Sequence, residues 1–113
     1  MKVRIELLPS FMKEAKRLKK RYASFVDDFE RLLCELEENP SLGIDLGGGL
    51  RKIRMRITSK GKGKSGGARV LTFTLVVSVE ELEIDLLHIY DKSDCENISQ
   101  AEIEELLRKN QLK

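Results

Sequence analysis

Between Arg51 and Arg69 the sequence reads RKIRMRITSKGKGKSGGAR, with eight cations (Arg51, Lys52, Arg54, Arg56, Lys60, Lys62, Lys64, Arg69) and no acid. Taking these eight from the chain's 21 basic residues leaves 13 against all 19 acids. A formal net charge of +2 therefore conceals a segment at +8 on a remainder at −6. Concentrated charge of one sign repels itself and is relieved by a partner of opposite sign, for which polyanionic nucleic acid is the obvious class. A mobile, solvated Lys/Gly loop would account for the second half of the segment. It does not account for the first half, where Ile53, Met55 and Ile57 alternate with Lys52, Arg54 and Arg56. Period two sends the apolar side chains into a core and all three cations to the opposite face, about 7 Å apart. An acid-free cationic row on a strand suits binding of an anion or chemistry on one.

Other chemistries find little support. Cys34 and Cys95 stand far apart with no metal-ligand spacing, and a single histidine excludes a multi-His metal site. No metal or other cofactor is expected. Reduced thiols point to a cytoplasmic setting. No apolar run approaches the ~18 residues of a membrane span, and MKVRIELLPSF lacks the apolar core and cleavage site of a secretory signal. Gly47-Gly48-Gly49 lacks the Walker spacing, so no nucleotide site is read there.

The elements that must position the row follow from periodicity. Val3 to Leu8 reads as a half-buried strand. Phe11, Ala15, Leu18 and Tyr22 mark a helix capped by Ser10, wrapped by Lys13, Lys16, Arg17, Lys19, Lys20 and Arg21. Ser24 and Asp27 form an approximate capping box for a second helix, with a stripe of Phe25, Phe29, Leu32, Leu33 and Leu36 and a solvated acidic exterior. Asn39-Pro40 ends it. Residues 41–49 are expected as loop, 51–57 as the cationic strand and 59–67 as a flexible connection. Strands follow over 69–77 and 82–90, the second apolar on both parities and carrying His88 and Tyr90 towards its end. Ser99 with Glu102 is a capping box, Ile98 with Ile103 its hydrophobic staple, and Ile103, Leu106 and Leu107 the apolar face of a last helix. At 113 residues the expectation is one α+β domain over 1–113, in the order β-α-α-β-β-β-α.

That order, the Asn39-Pro40 helix end, Arg51-Lys52-Ile53-Arg54, the Lys-Gly-Lys-Ser-Gly-Gly run into Arg69-Val70, and Ile89-Tyr90-Asp91-Lys92-Ser93 together resemble the RelE/ParE superfamily of type II toxins. The similarity spans nearly the whole chain. It implies a twisted, mainly antiparallel four-stranded sheet covered by a helical hairpin, and a cognate antitoxin as partner. Contact with operator DNA would come only through the antitoxin complex. RelE-like members cleave mRNA in the ribosomal A site without a metal, so mRNA on the ribosome and ribosomal RNA are the implied partners. Position by position, Lys52 and Arg54 match the family's strand cations, Arg69 its arginine on the next strand, and Lys92 its later basic residue. The family also carries a tyrosine near the C-terminal helix. Ile98 stands there in this chain, leaving Tyr90 and His88 as alternatives.

Metal-independent RNA cleavage needs a base for the 2′-OH proton, cations for the phosphorane, and an acid for the 5′-oxygen. Neighbouring cations disfavour a lysine's charged form, which makes Lys52 the expected base. Arg54 and Arg69 would hold the phosphorane through forked contacts, and Lys92 or Tyr90 would supply the proton. Arg51, Arg56, Lys60, Lys62 and Lys64 would track the RNA backbone. Two rivals share the fold: a ParE-like, non-hydrolytic inhibitor of DNA gyrase, and a non-catalytic RNA-binding domain.

Overall fold

The computed structural model describes residues 2–112. Its elements are β1 (Lys2–Leu7), α1 (Pro9–Arg21), α2 (Phe25–Glu38), β2 (Ile44–Gly47), β3 (Leu50–Met55), β4 (Ala68–Val76), β5 (Glu81–Asp91) and α3 (Gln100–Lys109). One mixed sheet runs in the order β1-β5-β4-β3-β2. β1 pairs with β5 in parallel, and every other neighbour is antiparallel. The α+β class and the mainly antiparallel sheet agree with expectation.

The fifth strand does not. β2 lies within the segment expected as loop; Ile44 and Leu46 alternate with Asp45 and Gly47, but the run is only four residues and all four are exposed, so no apolar face is buried. Its register comes from the neighbouring strand: Ile44 and Asp45 pair with Lys52 and Arg51. Arg51 reinforces it by donating from Nε to the Leu42 carbonyl (3.1 Å) and from its terminal nitrogen to that of Gly43 (2.9 Å). Gly43 has φ +92°, and a Cβ there would meet the Lys52 carbonyl oxygen at 2.5 Å. Only glycine fits this approach.

Two cores lie on opposite faces of the sheet. On one, Ile53, Met55, Val70, Ile84 and Leu86 pack against Phe11, Leu18, Phe25, Leu32 and Leu36 of the helical hairpin. On the other, Leu50, Leu71, Leu87 and Tyr90 pack against Ile98 and against Ile103 and Leu107 of α3. A bulge in the β4–β5 register separates Leu71, opposite His88, from Thr72, opposite Leu86. The extra residue is Leu87, and it shifts the phase of β5. Ile89 thereby stays with the hairpin core, while Tyr90 turns to the α3 face.

Helix ends divide between agreement and correction. α3 carries the expected capping box, with the Glu102 amide donating to Ser99 Oγ (3.1 Å). Ser10 does not cap α1. Pro9 takes the first helical position, where its missing N–H costs nothing, and Ser10 Oγ donates to the Leu87 carbonyl (2.6 Å). Ser24 precedes α2 but makes no side-chain cap. Its hydroxyl donates to Asp28 Oδ2 (2.7 Å). Asp28 is not part of a solvated acidic exterior either: it is buried and accepts from the Thr58 amide (2.8 Å) and hydroxyl (2.6 Å). Together with short 3-10 turns at Thr58–Lys60 and Lys64–Gly66, this clamp gives the expected flexible connection a defined path.

A cationic cleft as the candidate functional site

The β3–β4 register sets Arg54 directly opposite Arg69, and β4–β5 sets Arg69 opposite Tyr90. Directly opposed side chains share a face at 4.5–5.5 Å between Cβ atoms, and like charges so placed destabilise a sheet. Lys52 lies one pleat along the same face as Arg54. The row ends in a cleft of about 920 Å³ lined by Lys52, Arg54, Arg69, Lys92 and Lys64, with Glu35, Glu96 and Asn97 at its walls and Leu42, Gly43 and Ile44 along the β2 side.

Arg69 is 6% exposed and makes no salt bridge within 4 Å to a described residue. Its guanidinium donates to the carbonyls of Ser65 (3.0 Å), Ala68 (3.3 Å) and Lys64 (3.4 Å). Burial, and next the Arg54 charge, push its pKa down from the ordinary arginine value. A guanidinium so placed is oriented but lacks a counter-charge, and a buried charge is costly until it is paired.

The remaining cations are gathered by the segment that follows β5. Lys92 Nζ donates to the Glu96 carbonyl (2.7 Å), and Lys52 Nζ to Asn97 Oδ1 (3.3 Å). The Lys92 amide donates to the Gly67 carbonyl (3.0 Å). A Cβ on Gly67 would meet the Met55 carbonyl oxygen at 2.1 Å, so glycine alone lets the end of β3 and the start of β4 approach this closely.

Beneath this segment Asp91, with a fully buried side chain, collects four donors. They are Lys60 Nζ (2.7 Å), Arg21 (3.0 Å), the Ser93 amide (2.9 Å) and the Tyr22 hydroxyl. Burial alone would raise the Asp91 carboxyl, but the Lys60, Tyr22 and Ser93 hydrogen bonds outweigh it and hold it at about 2.

Of the sequence-predicted residues, the fold brings Lys52, Arg54, Arg69, Lys92 and Lys64 into one cleft. Arg56 is exposed on an adjoining depression that shares Arg54 and Lys64 with it. Lys62 is exposed on the loop. Three others lie elsewhere. Arg51 is on the opposite face, tied to Leu42, Gly43 and Asp45. Lys60 is no free backbone tracker: its side chain is 7% exposed and paired with Asp91. Tyr90 is 8% exposed, does not line the cleft, and has a buried hydroxyl without a well-formed hydrogen bond. Burial raises its pKa, which makes it a poorer proton donor still. His88, the other alternative, also lies outside the cleft lining, and burial lowers its pKa. Ile98 is buried in the α3 core, as its staple role requires.

Sequence reasoning missed Glu35, Glu96 and Asn97. No pattern singles out one helical glutamate or a loop Glu-Asn. The only pointer, for Glu96 and Asn97, was their position between Lys92 and the Ser99 cap.

Residues 11–111 match the family described as RelE toxin of RelE / RelB toxin-antitoxin system. The chain belongs to this family, which makes it a toxin of a toxin-antitoxin pair, with a cognate antitoxin as partner. No helix among the described residues is long and apolar enough to cross a membrane.

Proposed function

We propose that this toxin is a ribosome-dependent endoribonuclease that cuts mRNA without a metal. The observation that carries the reading is Arg69, a buried guanidinium without an acidic partner, set across from Arg54 and opening on a cleft shared with Lys52 and Lys92. A phosphate entering the cleft supplies the missing counter-charge, and forked contacts from two arginines suit its oxygens.

In the reaction the ribose 2′-oxygen attacks phosphorus, its proton passing to a base. The P–O5′ bond then breaks as an acid protonates the 5′-oxygen, leaving a 2′,3′-cyclic phosphate. Arg69, whose donors are already oriented by the Lys64, Ser65 and Ala68 carbonyls, stabilises the phosphorane, where charge is greatest, and Arg54 adds its charge from directly across the strand pair. Lys92, fixed against the Glu96 carbonyl, is the proton donor to the leaving oxygen. Lys52 adds charge from the other side of the cleft. Lys62, Lys64 and Arg56 extend the cationic surface along the RNA backbone. Ribosome dependence follows from an open cleft that can grip a phosphate but has few groups to orient a flexible mRNA; the ribosome supplies that orientation.

The test is controlled expression of the toxin with mapping of mRNA 5′ ends, run beside a DNA gyrase supercoiling assay. Cuts inside translated reading frames are expected, lost in Arg54→Gln and Arg69→Gln. Intact mRNA with blocked supercoiling would assign the toxin to the gyrase-inhibiting class. Intact mRNA with normal supercoiling and retained RNA affinity would leave a binding domain alone.

A further inference from the structure

We infer that Glu96 is the proton acceptor for the 2′-OH, a role resting on the nuclease reading above. Two carboxylates line the cleft, Glu35 and Glu96. Glu35 projects from α2 and lies 3.6 Å from Lys64 Nζ, so it is engaged by a cation. The Glu96 carboxylate is exposed and has neither hydrogen bond nor ion pair among the described residues, although Lys52, Arg54, Arg69, Lys64 and Lys92 line the same cleft. A free carboxylate beside four cations that make no ion pair among the described residues (Lys52, Arg54, Arg69 and Lys92) is held there by its backbone rather than by pairing.

That backbone is braced from both sides. The Glu96 carbonyl accepts from Lys92 Nζ, the amides of Asp94 and Cys95 both donate to the Asp91 carbonyl (3.0 and 3.1 Å), and Cys95 Sγ contacts the Asn97 carbonyl (3.1 Å). Ile98 then plugs into the α3 core and Ser99 caps the helix. A side chain on so fixed a segment can hold a reacting atom within the tolerance that proton transfer needs.

The lysines are arranged for the complementary task. Lys52 and Lys92 each direct an N–H at an oxygen, of Asn97 and Glu96 respectively. Both side chains are thus tied by their donors to fixed oxygens, which holds their positive ends in place on the cleft wall. The cleft therefore holds fixed cations for the phosphorane and leaving oxygen, plus one unengaged acceptor. In the forward step Glu96 takes the 2′-OH proton as the 2′-oxygen bonds phosphorus, and Lys92 gives its proton to O5′ as that bond breaks. Two protons move and the net charge of the protein is unchanged.

The experiment is single-turnover cleavage of programmed ribosomes at saturating toxin, with wild type, Glu96→Gln, Glu96→Asp and, as a surface control, Glu37→Gln. Loss of a general base typically costs about 10²–10⁴-fold. Glu96→Gln should show that loss, and the acid limb of its pH–rate profile should vanish. Its ribosome affinity should hold or rise, because an acid has left a cationic cleft. Glu96→Asp should recover part of the rate, and thermal melts should match wild type in all variants. Near-wild-type cleavage by Glu96→Gln, or a defect confined to affinity, overturns the assignment while leaving the nuclease reading intact. A wild-type toxin that never cuts sinks the reading itself.

Discussion

Replacing Lys60 by Gln separates a structural lysine from an RNA-binding one. Sequence pattern groups Lys60 with Lys62 and Lys64, yet Lys60 is buried against Asp91, beside Ser93 Oγ (2.7 Å) and over the Tyr22 ring at 5.6 Å. Removing one partner of a buried ion pair typically costs about 3–5 kcal/mol. Asp91 keeps Arg21, Tyr22 and the Ser93 amide, which places Lys60→Gln near the low end, at about 3 kcal/mol. With an unfolding entropy of roughly 2.1 cal/mol/K per residue, a chain of 113 residues loses about 4 °C of Tm per kcal/mol, hence about 12 °C.

The same pair has a pH signature. The Asp91 carboxyl is held at about 2, below its unfolded value. A depressed acid contributes stability that is complete above the unfolded pKa, near 4, and is lost as pH falls towards 2. Melts of wild type and Lys60→Gln should therefore differ most at neutral pH and converge between pH 4 and 2. Ribosome affinity, measured well below the variant's Tm, should stay close to wild type with an unaltered salt slope. An unchanged Tm together with weakened, salt-insensitive binding would refute the reasoning and return Lys60 to the RNA surface.

Lys62→Gln with Lys64→Gln should do the reverse, leaving Tm within about 1 °C while weakening ribosome binding and flattening its salt dependence by about two counterions. Lys52→Arg keeps the charge opposite Asn97 and should retain single-turnover cleavage within about tenfold, while Lys52→Gln loses more; collapse of both would restore Lys52 as the base. Asp85 is buried beside Glu83 and Glu6, and burial first, then its hydrogen bond with Glu83 and the repulsion of both glutamates, raise it to about 7. A raised acid is most stabilising below its unfolded pKa, near 4, and loses that contribution as pH rises from there through about 7, so Asp85→Asn should raise Tm by several degrees at pH 8 and hardly at pH 4 in calorimetry.

Periodicity made most of the fold legible. The alternation of Ile53, Met55 and Ile57 against Lys52, Arg54 and Arg56 placed the cationic face correctly, with all three apolar residues at most 3% exposed. The α3 capping box and staple were equally plain, because short-range chemistry fixes them. What stayed hidden depends on partners far apart in sequence. β2 is only four residues long, keeps Ile44 and Leu46 exposed, and exists through β3 and the Arg51 side chain. Asp28 and Lys60 look like members of solvated runs, and only the folded chain sets them against Thr58 and Asp91. The phase shift at Leu87 that turns Tyr90 onto the α3 face is likewise invisible to period-two counting.

The site divides along the same line. Residue type and strand alternation identify which cations can face a phosphate, but not which are free to do so. Lys60 and Arg51 are spent inside the molecule, and they hold in place the two structures that flank the cleft: the segment after β5 and the β2 edge. Their charge is thus part of the scaffold's cost. Arg54 and Arg69, directly opposed and without acids, are the pair that folding alone would remove. A sheet that keeps a destabilising pair while neutralising Lys60 with Asp91 has acids available for pairing, and leaves this row unpaired. That contrast, more than total charge, singles out the cleft and not the whole basic segment as the candidate site.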